Sequence, residues 1–177
     1  MIHIKTSICL LMSIILLSAC ATSLEHVNAD FNSAGWKVGY SEDVRGKGNI
    51  VEYIPSMENI ESWSKMMTIQ FAEGVSVEPA LYMGQLKAKM QARCPNVAWS
   101  IIEEGKNHIL YEWKISDCGN NPAQHEIAKI MKGNDGLHRF AYVEKTEDLS
   151  ASSRKLWIDR IASSYLKKGD ARVVVQE

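Results

Sequence analysis

The chain has 177 residues, 46% of them hydrophobic and 23% charged, with 20 Lys and Arg against 21 Asp and Glu. A length of this order closes one hydrophobic core. The net charge of −1 excludes a strongly basic nucleic-acid binder, and the modest apolar fraction excludes a polytopic membrane protein.

The amino terminus reads as an export signal. Lys5 supplies a small positive charge, and an apolar run from Ile8 to Leu17 is broken only by Ser13. A permanent membrane helix needs about 20 apolar residues, so this run is too short for one. It ends in Leu17-Ser18-Ala19-Cys20, which resembles the lipobox of bacterial lipoproteins. The resemblance implies removal of residues 1–19, diacylglycerol on the Cys20 thiol and an acyl chain such as palmitate on the new amino terminus. Several acyl chains on one residue anchor stably, whereas one is marginal. Ala21 follows the Cys in place of Asp, which in the family's sorting rule implies the outer membrane, with the protein on its periplasmic side.

Residues 20–33 are small and polar with little periodicity and read as the lipidated Cys and a tether, leaving 34–177 as a single domain. Trp36, Val38 and Tyr40 alternate with other residues, a polar turn spans Glu42 to Gly48, and Ile50 to Ile54 follows as a second strand. Trp63 to Phe71 is read as a third strand, ended by Gly74. Ser76 is the expected N-cap of a helix with Glu78 and Pro79 in its first turn. The recurrence of Met83, Leu86, Met90 and Cys94 gives that helix a buried stripe. Val97 to Ile101, His108 to Ser116, Gln124 to Met131 and Leu137 to Glu144 read as four further strands, with a strong hairpin turn at Gly133 to Gly136. A second helix is expected from Ser150 to Lys167, with Trp157, Ile158, Ile161, Ala162 and Tyr165 on its apolar face. The tail Val173 to Val175 is an edge strand or loose.

Of four cysteines, Cys9 leaves with the signal and Cys20 carries lipid, so Cys94 and Cys118 remain as an even pair in an oxidising compartment. A disulfide between them is expected, stapling helix to sheet. The rival, a two-Cys metal site, lacks a CxxC spacing or a nearby His.

The expected order is β-β-β-α-β-β-β-β-α: an α+β domain with an antiparallel sheet of about six to seven strands and two helices packed on it. This order, with its early Trp-bearing hairpin, the Ser62-Trp63 to Phe71 strand, one central helix, a strand meander and a closing helix, resembles the Mog1/PsbP-like fold. The resemblance implies a binding or assembly module rather than a particular chemistry.

No catalytic constellation is complete. His125-Glu126 invites a zincin reading, but position 129 is Lys where a second His is required. A polar group gathers on neighbouring strands: His108 and Glu112, His125 and Glu126, His138 and Arg139. His with Glu suits acid/base work or metal ligation. Strand faces alternate, so His125 and Glu126 diverge, and a solvated face or structural ion pair is the plainer account. Glu112, Glu126, His138 and Arg139 are the candidate binding residues. Eight Met residues raise copper handling, but no Met-x-x-Met repeat occurs and they read as core. Gly46-Lys47-Gly48 lacks phosphate-loop spacing, no Gly-x-Ser-x-Gly elbow occurs, and the five Trp sit mostly at core-phase positions with one or two available to line a groove.

The functional expectation is a non-enzymatic, lipid-anchored envelope protein that binds a partner protein as an accessory subunit of an envelope or secretion complex, without nucleic acid, metal or cofactor. The alternative is a periplasmic small-ligand or metal carrier whose pocket is lined by the His/Glu group; a hydrolase using that group is a weaker third.

Overall fold

The structure is a computed structural model describing residues 24–31 and 33–169. The apolar run, the lipobox with Cys20 and the tail at 173–175 lie outside these residues. Seven strands form one antiparallel sheet: β2 (Trp36–Val44), β3 (Gly48–Pro55), β4 (Lys65–Glu73), β5 (Ala98–Gly105), β6 (His108–Ile115), β7 (Gln124–Lys132) and β8 (Gly136–Glu144). Their order across the sheet is β2-β3-β4-β8-β7-β6-β5, so the long connection through helix α1 (Pro79–Arg93) carries the chain from the middle to the far edge. Helix α2 (Ala151–Ser163) follows β8. A separate two-stranded ribbon pairs β1 (Glu25–Asn28) with β9 (Tyr165–Lys168). The α+β class, the antiparallel sheet and the Cys94–Cys118 disulfide are all present. Among the described residues no helix is long and apolar enough to cross a membrane.

The two helices lie on opposite faces. Met83 of α1 packs with Ile109, Tyr111, Trp113, Ala128, Ile130 and Ala141, while Trp157 and Ile161 of α2 pack with Leu110, Ile127, Phe140 and Tyr142. Central strands are covered on both faces, and seven consecutive residues of β7 are buried, His125, Glu126 and Lys129 among them. Under α2 the indole of Trp157 stacks on Tyr142 at 3.7 Å between ring centroids, and Trp36 meets both rings edge-on.

Three expectations need correction. Residues 25–28, read as tether, form β1. Its one buried apolar side chain, Val27, joins the α2-side core, and its pairing with β9 supplies the backbone partners. The second helix stops at Ser163 rather than Lys167. Ser164 turns to extended backbone, and the Lys129 ammonium donates to the carbonyls of Ala162 and Ser164 at 2.7 Å each, occupying the acceptors that the helix end leaves open. Tyr165, which continues the apolar period, is 56% exposed on β9. The first helix is capped by Glu78 rather than Ser76, with Pro79 at its first position; the Glu78 side chain makes no cap bond and pairs with Lys132 instead.

Candidate functional site

Ala128 of β7 and Ala141 of β8 face each other directly across the sheet, both buried. Neither side chain reaches past its Cβ, so a trough runs along the α1 side of the two strands. Arg139, two residues from Ala141 on the same face, lies in that trough. Its Nε donates to the Tyr111 hydroxyl at 3.2 Å and its Nη2 to Glu126 Oε1 at 2.5 Å. Glu126 Oε1 also accepts from the Trp113 indole at 2.7 Å. Two long side chains on different strands thus meet because two short ones leave room between them.

The energetics of this cluster follow from burial. Burial opposes the Arg139 charge, but Glu126 and the Tyr111 oxygen outweigh it and hold the guanidinium more firmly protonated than usual. The Tyr111 hydroxyl is pushed up to about 12, chiefly by burial, and stays a neutral donor and acceptor. The partly exposed Arg139 and Glu126 side chains, at 16% and 9%, are not sealed off from solvent.

They form part of the floor of a cleft of about 290 Å³ between α1 and the sheet. One wall is aromatic: Trp99 pairs directly with Trp113 across β5 and β6, at 6.4 Å between centroids, and stacks on Tyr111 at 5.0 Å. The helix wall is Leu86 and Met90 from the expected apolar stripe, with Lys89 and Arg93 beside them at the rim, and Gln70 of β4 closes the far side. The end of this helix is fixed by the disulfide, which ties Cys94, its C-cap residue, to Cys118 in the loop after β6, with Cα atoms 5.8 Å apart.

The four candidate binding residues therefore separate. Glu126 and Arg139 come together in the cleft. Glu112 lies on the opposite face, where Arg154 of α2 grips it with two bonds of 2.8 Å and holds its carboxyl down at about 2; burial opposes the shift, while His125 and Ser100 add further bonds that favour it. His125 accepts from the Leu149 backbone amide at Nδ1, 3.0 Å, so its proton is on Nε2, which faces Glu112 at 3.3 Å. Both ring nitrogens are engaged within the fold. His138 is stacked on Phe71 and bonded to Asp135, in a third place beside β1, and burial holds its pKa below the ordinary value. The divergence of His125 and Glu126 is as the alternation of strand faces requires.

The ligand atoms of Glu25, Asp135 and His138 lie within 4.8 Å of one another. All four carboxylate oxygens already accept hydrogen bonds: Glu25 from Asn134 backbone and side chain, Asp135 from the Glu25 amide and from His138. The arrangement pins β1 onto the β7–β8 hairpin.

Tyr111, Gln70, Lys89 and Arg93 were not anticipated as site residues, and of the five Trp, one or two of which were open to lining a groove, Trp99 and Trp113 do so. The signal available in the sequence was the placement of Lys89 and Arg93 one turn apart, beside Leu86 and Met90 on the helix.

A family model matches residues 25–168, and the chain belongs to that family. The match starts at the first residue of β1 and ends at the last of β9, so the ribbon belongs to the family's domain. No curated protein and no solved structure matches the chain.

Proposed function

We propose that this chain is a lipid-anchored, non-enzymatic binding protein of the bacterial cell envelope, held at Cys20 on the periplasmic side of the outer membrane. Its binding site is the cleft between α1 and the sheet. The observation that carries the reading is the cleft itself: an apolar and aromatic enclosure with a few convergent polar groups, the usual composition of a ligand site. The lipobox-like Leu17 to Cys20 supports the address, and the like order of elements keeps the Mog1/PsbP-like comparison as support for a binding role. The Glu112–His125 pair on the other face offers no free imidazole nitrogen, so its geometry favours a structural role over acid/base work.

The accessory-subunit reading rests on a different surface. The edge strand β2 exposes Val38, Tyr40 and Val44, apolar side chains that a partner subunit would cover. In-cell photo-crosslinking separates the two. A photoreactive residue in place of Leu86 is expected to yield an adduct of fixed mass. Adducts from position 40 alone would refute the cleft and favour the partner subunit.

A further inference from the structure

We infer that the cleft takes a small organic anion, a carboxylate or phosphate ester carried on a flat ring; this rests on the reading of the cleft as the binding site. Three cations line it, Lys89, Arg93 and Arg139, against one carboxylate, Glu126. Glu126 is committed to Arg139 and to Trp113. Lys89 and Arg93 have no ion-pair partner among the described residues. The cleft thus presents two uncompensated positive charges at its rim and a third, offset by Glu126, in its floor. Arg139 uses Nε and Nη2 within the fold and leaves Nη1 without a hydrogen bond to any described residue. A second carboxylate, Glu52, is near enough for Arg139 to favour its charged form, but burial opposes that charge and Glu52 does not line the cleft.

The shape of the occupant follows from the walls. Trp99 is stacked on Tyr111, within 13° of parallel, and on Trp113, within 21° of parallel, so the three rings form one aromatic stack that lines the cleft. Opposite are the flexible side chains of Leu86 and Met90. A planar ring joins that aromatic stack and its anionic group reaches the rim. The volume of about 290 Å³ lies at the small end for small-molecule sites, roughly 300 to 1,000 Å³, which suits one or two rings and an acid group and leaves no room for a folded partner.

The test is calorimetric titration of the full lipoprotein, solubilised in a neutral detergent at low salt, with 1-naphthylacetate and its uncharged isostere 1-naphthylacetamide. The acid is expected to bind about tenfold tighter than the amide, the worth of one charge-assisted hydrogen bond. In the Lys89→Gln/Arg93→Gln double variant, whose changed side chains are exposed, that ratio is expected to fall to about threefold or less while amide affinity is kept. Equal affinity for the two probes, with both lost in Leu86→Trp, would overturn the anion and leave the cleft as an apolar site. Binding that survives Leu86→Trp, or no binding of either probe, would overturn the cleft itself.

Discussion

Glu112 shows how far a single carboxylate ties the two layers of this fold. Arg154 reaches from α2 to grip both of its oxygens, and its carboxyl is held down at about 2 against an ordinary 4.5. A folded pKa below the unfolded one contributes stability that is complete above pH ~4.5 and is lost as pH falls towards ~2. Arg154 is 43% exposed, so solvent screening limits the pair to about 1 to 2 kcal/mol. Urea unfolding of the wild type at pH 7 and pH 3 is expected to show a loss of that size which Glu112→Gln does not show; identical acid sensitivity in the two would refute it. On the other face the decisive residues are the smallest. Ala128→Leu fills the trough that Arg139 occupies, and we expect a loss of about 1 to 3 kcal/mol in unfolding free energy from overpacking. It should also displace the guanidinium from Glu126 and weaken cleft binding, whereas an unperturbed melt would mean the trough has room to spare.

At the scale of elements, the cleft depends on a helix whose end is stapled. The disulfide closes a separation of 24 residues, worth about 3 kcal/mol in the chain-entropy model. Cys94→Ser/Cys118→Ser is expected to lower stability by that order and to weaken cleft binding together with it, because Met90 and Arg93 sit in the last turn. Loss of stability with unchanged affinity would show that the helix keeps its place without the staple. The β2–β3 hairpin makes a sharper demand. Gly48 has φ +111°, and an added Cβ would lie 1.9 Å from the Phe71 carbonyl oxygen. Gly48→Ala is therefore expected to cost about 2 kcal/mol or more in thermal or urea unfolding. The elements that periodicity made legible were those with several apolar residues in phase: the seven sheet strands and the bodies of both helices. Strand β1 was not legible, because Glu25–Asn28 has a single apolar residue in the core and is a strand only by virtue of a partner at the far end of the domain. For the same reason Tyr165 read as helix: its spacing continues the α2 stripe, and only the Lys129 cap and the β1 pairing end the helix before it.

At the scale of the whole molecule, the site was half legible. Glu126 and Arg139 could be named because they belong to a group of His, Glu and Arg residues on strands expected to be neighbours. Their union could not, since it depends on the β7–β8 register that sets Ala128 opposite Ala141. The same register sends Glu112 and His138 to the other face, so a group that looked continuous along the chain became three local clusters. The proposed anchor is tested apart from the domain: Cys20→Ala is expected to move the protein into the soluble fraction, and retention in the membrane pellet would refute the lipobox reading. The central claim is that the molecule binds through the α1 cleft and not through the group under α2. The most direct measurement is equilibrium dialysis of a low-molecular-weight envelope extract against detergent-solubilised wild type, Leu86→Trp and Arg154→Ala, with bound compounds read by mass spectrometry. The account predicts a compound enriched by wild type and by Arg154→Ala but not by Leu86→Trp; enrichment that survives in Leu86→Trp and disappears in Arg154→Ala would contradict it.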